Sequence, residues 1–82
     1  MQTRVAVIAI IVEDAGSVSQ IQKLLSDFSE YIIGRMGIPY KEKNVRIISV
    51  VVDAPQDEIS ALAGKIGSLK AVTVKTAYAS VN

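Results

Sequence analysis

The chain has 82 residues with nine basic and eight acidic side chains, a net charge of +1, and neither cysteine nor histidine. A chain of this length forms one domain, here residues 1–82, and mixed charges without basic runs predict no direct binding to nucleic acid. Without cysteine and histidine there can be no disulfide or thiolate metal site, and the commonest metal ligand and acid–base group is missing, so we expect neither metal nor cofactor.

The N-terminal stretch superficially resembles a secretion signal, because Arg4 precedes an apolar run. Glu13 and Asp14 follow the run at once, and there is no A-x-A cleavage pattern, so we expect no signal peptide. The run is also too short to span a bilayer. We therefore predict a cytoplasmic protein without a membrane partner.

The first predicted strand, Arg4 to Glu13, is apolar at every position from 5 to 12, which indicates burial on both faces. Asp14 to Ser17 reads as a tight loop, and Ser17 is the predicted N-cap of a helix, with Gln20 completing a capping box. The helix carries its apolar residues at three- and four-residue spacing, and Gly34 is its predicted end.

The middle of the chain predicts a hairpin. Arg35 to Tyr40 is a short strand at best, and Pro39 places it at a sheet edge because proline has no N–H to donate. Lys41 to Asn44 forms a polar turn, and Asn44 tolerates positive φ. Val45 to Val52 is a second, almost wholly apolar strand.

The last third predicts a helix and an edge strand. Pro55 stands in the first turn of the helix, where its missing N–H is harmless, and Gly67 ends it. In the segment from Ala71 to Tyr78, one set of alternate residues is Val72, Val74, Thr76 and Tyr78, and the other is Thr73, Lys75 and Ala77. This is a half-buried pattern suited to an edge strand.

This order of elements predicts an α+β, ferredoxin-like βαββαβ two-layer sandwich with an antiparallel sheet in the order 4-1-3-2. Both helices cover one face of such a sheet and leave the other bare. Either set of alternate residues in the first strand is apolar, so the bare face is apolar whichever set points inward. We therefore expect a homodimer or homotetramer formed through the sheet face. The alternative is that long side chains and the C-terminal tail cover this face.

Several functions of this fold lack the residues they need. RNA-recognition domains use aromatic residues on the central strands, and metal chaperones use a Cys-x-x-Cys pair. Neither feature is present. Glu13 and Asp14 are not a convincing catalytic pair, because neighbours on an extended segment point apart. We expect the chain not to be an enzyme.

Two loops contain candidate ligand-binding residues. Asp14, Gly16 and Ser17 precede a helix N-terminus, whose free amides can hold a carboxylate or another small anion. An ordinary turn and cap explains these residues more simply. The second loop combines a cation, a flexible glycine, a rigid proline and an aromatic hydroxyl, which suits either ligand recognition or the shaping of an edge strand. Its residues are Arg35, Gly37, Pro39 and Tyr40.

Three segments of the chain resemble the family of small iron-only hydrogenase system regulators. They are Val12-Glu-Asp14, Arg35-Met-Gly-Ile-Pro-Tyr40, and Leu62-Ala-Gly-Lys-Ile-Gly67 followed by Val72-Thr-Val-Lys75. The resemblance implies a fold similar to ACT domains and to the C-terminal domain of nickel-responsive regulators. It also implies amino-acid binding between subunits, because Asp14-Ala-Gly16 is similar to the loop that ACT domains use. The histidines and cysteines with which nickel-responsive regulators bind metal are missing.

Residues and resemblance together lead to two hypotheses. The first is a homo-oligomeric regulatory domain that binds a small anionic or amino-acid-like ligand at subunit interfaces and is linked to iron-only hydrogenase maturation or regulation. The second is a protein-interaction module without a small ligand, whose sheet face or edge docks a regulatory or maturation protein.

Overall fold

A computed structural model, which describes residues 2–80, contains one four-stranded antiparallel sheet and two helices. The sheet order is β2-β3-β1-β4, which is the predicted order read from the other edge, so the ferredoxin-like fold is confirmed. The strands and helices, in chain order, are β1 (Arg4–Val12), α1 (Ala15–Asp27), β2 (Ile32–Tyr40), β3 (Val45–Ala54), α2 (Gln56–Gly67) and β4 (Val72–Tyr78).

The inward face of β1, which the sequence left undecided, is formed by its even-numbered residues. Ile8 and Ile10 are fully buried under the helices, whereas Val7 and Ile11 are more than a third exposed. The same alternation continues in β3, because directly paired residues in an antiparallel sheet share a face. The core between sheet and helices consists of Ala6, Ile8, Ile10, Val12, Ile21, Leu25, Ile48, Val50, Val52, Ala54, Ile59, Leu62 and Ile66.

Both predicted boundaries of α1 are wrong. The helix begins one residue after Asp14, its N-cap, so Ser17 lies inside the first turn and is buried. It ends at Asp27, and the chain then makes a short 3₁₀ turn before β2. The helical spacing of apolar residues extends as far as Ile32, but Ile32 pairs with Val52 of β3. A β-branched residue suits that sheet position better than the end of a helix, and Gly34 consequently lies within β2.

The β2–β3 hairpin has the predicted turn and a longer first strand than expected. β2 has nine residues and forms an edge of the sheet, where Pro39 is tolerated. A second 3₁₀ turn, Lys41–Lys43, ends at Asn44, which has φ of 55°. Asparagine is among the residues that adopt this left-handed conformation most readily. The hairpin therefore brings its turn to the end of the sheet at which β1 finishes.

The sheet face opposite the helices is here called the open face. It carries six of the eight large apolar side chains that are exposed within residues 2–80. These six residues are Val7, Ile11, Met36, Ile38, Tyr40 and Ile47. Within the same part of the chain, neither helix has the length and apolar character needed to cross a membrane.

Candidate functional site

A groove of about 390 Å³ lies at the end of the sheet where β1 finishes and the β2–β3 hairpin turns. Its volume is within the range of about 300–1,000 Å³ that is usual for small-molecule sites. One wall comes from the end of β1 and the start of α1, and the other from the hairpin. The lining residues are Val12, Glu13, Asp14, Ala15, Val18, Pro39, Tyr40, Lys41, Asn44, Val45 and Arg46.

The first wall follows from the way in which β1 leads into α1. Val12 is the last buried residue of the strand, and Glu13 continues the pairing by donating its backbone N–H to the carbonyl of Ala71. Asp14 then caps α1 through its backbone, because its carbonyl accepts a hydrogen bond from the N–H of Ser17, while its carboxylate makes no capping bond. The carboxylate is therefore available to a ligand.

The absence of a side chain at Gly16 leaves space for the Asp14 carboxylate. A Cβ atom added to Gly16 would lie 3.1 Å from Oδ2 of Asp14, closer than ordinary van der Waals contact. Gly16 does not itself line the groove. Its contribution is to let the acid lie over the beginning of the helix, where the positive end of the helix dipole stabilises a negative charge.

The second wall contributes Arg46, whose position follows from the strand register. Arg46 pairs with Val12 on one side and Pro39 on the other, and all three line the groove. Since Val12 is buried under the helices, Arg46 also lies on the helix side of the sheet, where it is half-buried. The sequence reasoning missed this residue. Counting back along β3 from the buried Ile48 would have placed it on the helix side, two residues before the core.

Four charged side chains line the groove, two acids and two bases: Glu13, Asp14, Lys41 and Arg46. Among residues 2–80, no side-chain hydrogen bond joins any of the four to another group of the protein. Apolar side chains, including Val18 and Pro39, fill the space between them. The groove can therefore offer both a cation and an anion to one small molecule with an apolar part.

The structure brings together only some of the predicted site residues. Asp14, Pro39 and Tyr40 come from the two separate loops and line the same groove. Gly16 lies beside it, and Gly37 is not part of its lining.

Ser17 and Arg35, two further candidates, are engaged elsewhere. Ser17 is buried, and its Oγ donates a hydrogen bond of 2.7 Å to the carbonyl of Lys70. Arg35 is hydrogen-bonded to Gln22 of α1. The Ser17 bond holds α1 to the chain just before β4 and so positions the first wall of the groove, whereas Arg35 is exposed and lies outside the groove lining.

A second polar cluster, at the opposite end of the sheet, has its groups already paired. Gln56 accepts a hydrogen bond of 2.6 Å from Arg4 and donates one of 2.7 Å to the hydroxyl of Tyr78. The Arg4 guanidinium also lies 4.4 Å from the centre of the Tyr78 ring. This cluster holds the end of β4 in place. Because its polar groups are already bonded to one another, it offers fewer free donors and acceptors to a ligand than the groove does.

Tyr31, in the turn before β2, has a phenol with a raised pKa. Partial burial raises the pKa of its phenol above 10.0, and the carboxylates of Glu30, Glu58 and Asp57 add to the effect in that order. The phenol therefore remains protonated at neutral pH. Within residues 2–80 there is no group of three or more histidine, cysteine, aspartate or glutamate side chains that could hold a metal ion.

Comparisons with known proteins identify both a family and a fold. The profile of the TM1266-like family, described as "iron-only hydrogenase system regulator, putative", matches residues 4–76. The structure of the uncharacterized protein TM1266 from Thermotoga maritima is 37% identical and matches with a TM-score of 0.90, covering 94% of this chain and 98% of that one. No curated protein matches the chain significantly.

Two less similar structures match at the level of the fold alone. A homoserine dehydrogenase from Thiobacillus denitrificans is 20% identical over 93% of this chain and 17% of its own, with a TM-score of 0.65. A formyltetrahydrofolate deformylase from Pseudomonas putida KT2440 is 11% identical over 89% of this chain and 28% of its own, also with a TM-score of 0.65. Both support an ACT-like version of the ferredoxin fold, as the sequence resemblance implied.

Proposed function

The chain belongs to the TM1266-like family, and we propose that it is a homo-oligomeric regulatory domain that binds a small ligand in the groove between α1 and the β2–β3 hairpin. The family is described as a regulator and not as an enzyme. The observation that carries the proposal is the groove itself, in which four charged side chains that form no side-chain hydrogen bond within residues 2–80 surround an apolar space. We place its regulatory role in the iron-only hydrogenase system, after the family description.

The charges of the groove favour a small ligand that carries both signs. Glu13 and Asp14 supply negative charge from the first wall, while Lys41 and Arg46 supply positive charge from the second. An amino-acid-like molecule, with an ammonium group, a carboxylate and a modest apolar part, matches this arrangement. A purely anionic ligand would use Lys41 and Arg46 but would meet the two carboxylates opposite.

The open face supports association of the domain with itself. Six large apolar side chains are exposed there, and a soluble monomer rarely leaves a contiguous apolar patch of several hundred Å² uncovered. Tyr40 and Val45 belong to the open face by register and also line the groove. A ligand in the groove would therefore lie close to a subunit interface.

Arg46→Ala tests the groove, with Arg35→Ala as its matched control. Both arginines are on the hairpin, but Arg35 does not line the groove. Removing a charge-assisted hydrogen bond costs about 1.5–3 kcal/mol, which corresponds to roughly a 10- to 150-fold weaker affinity. A library of amino acids and related zwitterions is screened by thermal denaturation, and hits are titrated by calorimetry against both variants.

Binding would be recognised in the screen by a defined gain in stability and by the loss of that gain in R46A. A ligand at 100 times its Kd should stabilise the fold by about 2.7 kcal/mol, and R46A should remove about half of that gain or more while R35A keeps it. Unchanged melting across the library would contradict ligand binding of this class. Equal losses in R46A and R35A would place the ligand outside the groove.

A protein-interaction module is the second candidate, and the exposed apolar open face is the observation that favours it. On this alternative a regulatory or maturation protein covers the open face and no small ligand is bound. A stable hetero-complex that displaces the homo-oligomer, together with a negative ligand screen, would favour this alternative over the first.

A further inference from the structure

A second cleft, with a volume of about 450 Å³, lies between α1 and α2. We call it the helix cleft. Its lining comes entirely from the two helices and the turn that follows α2, so it shares no residue with the groove or with the open face. The helix cleft is therefore a separate surface, to which neither ligand binding in the groove nor association through the sheet gives a role.

Two leucines give the helix cleft its apolar part. Leu24 belongs to the apolar stripe of α1, and Leu69 follows the end of α2, where its backbone N–H donates to the carbonyl of Ile66. Both leucines pack against the core but are only half-buried. The surface that they leave in the cleft suits an apolar side chain of an occupant.

Two lysines line the helix cleft from opposite walls. Lys23 is on α1, and Lys65 is in the last turn of α2. The Lys65 ammonium lies 5.5 Å from the centre of the Phe28 ring, so it is directed towards the end of α1. Within residues 2–80, no side-chain hydrogen bond joins either lysine to another group. An ammonium beside a ring still has N–H donors to give, so both cations are available to an anion.

Asp27 limits the negative charge that the helix cleft can accept. It lies four residues after Lys23, on the same face of α1, and also lines the cleft. Two cations against one carboxylate leave a single excess positive charge. An occupant with one acidic group beside an apolar group complements this arrangement, whereas an occupant with several negative charges would be repelled by Asp27.

The shape of the helix cleft favours a peptide segment over a free small molecule. Sites for small molecules bury most of the ligand surface, but this cleft has two walls whose charged side chains are exposed. Gly64 lies one helical turn before Ser68, which lines the cleft, and no described atom of the chain lies within 4 Å of a Cβ added there. Glycine weakens a helix, and packing within the chain does not explain it here. A backbone that approaches α2 closely would use this space.

We propose that the helix cleft docks a segment of another protein that presents one acidic and one apolar side chain. The acid lies between Lys23 and Lys65, and the apolar side chain lies on Leu24 and Leu69. This inference goes beyond the proposed function and does not depend on it, because it uses neither the groove nor the open face.

Selection from a phage-displayed library of short random peptides tests the proposal on the intact protein. Recovered peptides are synthesised and titrated by fluorescence anisotropy. We expect them to share an aspartate or glutamate close to a leucine, isoleucine, methionine or phenylalanine. Their affinity should fall as the salt concentration rises, because exposed charges are screened.

The double variant Lys23→Glu/Lys65→Glu should weaken peptide binding roughly 100-fold or more, because like charges then face each other. Lys43→Glu/Lys75→Glu is the matched control, since it makes the same change in net charge at two exposed lysines outside the helix cleft. It should bind the peptides as the wild type does. Circular dichroism checks that both variants fold.

Gly64→Gln separates docking from folding. Glutamine is a better helix former than glycine, so this variant should melt at a higher temperature. Its side chain would fill the space beside the helix cleft, so the selected peptides should bind several-fold more weakly. Unchanged peptide affinity in this variant would overturn the close approach to α2.

NMR chemical-shift mapping with a selected peptide gives the location of binding, and we expect the changes to centre on the residues of the helix cleft. Changes centred on the open face, recovered peptides without an acid, or equal losses in the two double variants overturn the proposal. A selection that recovers nothing above background does so too. Acetate that binds the cleft as tightly as the peptides would make it a small-anion site instead. The ligand screen of the groove is unaffected by all these outcomes, so the two proposals fail separately.

Discussion

At the scale of single residues, Ser17 shows how a side chain expected to bind a ligand instead supports the groove. Its hydroxyl is buried and bonded to the carbonyl of Lys70, which lies just before β4. No buried side-chain nitrogen or oxygen within residues 2–80 lacks a hydrogen-bond partner. Ser17 therefore joins the beginning of α1, which forms one wall of the groove, to the sheet beneath it.

Ser17→Ala should lower the free energy of unfolding by about 1–2 kcal/mol, because the Lys70 carbonyl loses its partner in a buried place. Ser19→Ala on the exposed side of the same helix is the control. It should be neutral or stabilising by up to about 0.5 kcal/mol, since alanine has the higher helix propensity. Urea denaturation measures both. Equal effects in the two variants would show that the Ser17 bond contributes nothing.

Arg46 is the residue that sequence reasoning could have found but did not. In the sequence, Arg46 is a single charged residue within an otherwise almost wholly apolar strand, whereas the register places it between Val12 and Pro39 in the groove. Asp14, Pro39 and Tyr40 could be proposed from the sequence because loop residues of these types are recognisable one at a time, and the structure places all three in the lining of the groove. The juxtaposition of the two loops depends on the sheet order, so it becomes visible only when that order is applied to both.

At the scale of elements, the alternation in β1 assigns opposite roles to neighbouring isoleucines. Ile10 is fully buried under the helices, and Ile11 belongs to the open face. The sequence could not separate them because every position of β1 from Val5 onwards is apolar. Only the packing of α1 and α2 on one face decides between the two sets.

Ile10→Ala should destabilise the monomer by about 2–5 kcal/mol, because it leaves a cavity in the core. Ile11→Ala should cost about 1 kcal/mol or less at low concentration, yet it should weaken dimer formation, which I10A leaves nearly intact in molecules that fold. Chemical denaturation below the dimerisation midpoint and sedimentation above it measure the two effects.

Ile10→Val serves where the alanine variant is too unstable, since a domain of this size has only roughly 4–12 kcal/mol of total stability. It should cost about 0.5–1.5 kcal/mol. If Ile11 substitutions destabilise the monomer as much as Ile10 substitutions do, the assignment of faces is wrong.

The elements also mark the limit of prediction from periodicity. The order of strands and helices, the edge position of β2 and the positive φ of Asn44 followed from residue types and are confirmed. The end of α1 did not follow, because apolar spacing continues through Phe28 to Ile32 while the chain has already left the helix. The end of the helix is set by the long-range pairing of Ile32 with Val52, and the local sequence carries no signal of that pairing.

At the scale of the whole molecule, the fold leaves two surfaces in need of a partner and places them side by side. Within the described part of the chain, the charged side chains of the groove form no side-chain hydrogen bond, and the open face has an exposed apolar surface that meets the groove at Tyr40. A ligand-binding domain whose site adjoins its own interface can convert binding into a change of assembly. That property suits the proposed regulatory function.

The most direct test is native mass spectrometry of the protein purified from its own host, because one spectrum shows both stoichiometry and co-purified molecules. We expect a dimer or tetramer that carries a small-molecule mass, retained in R35A and lost in R46A. A bare monomer at micromolar concentration, in wild type and variants alike, would contradict it.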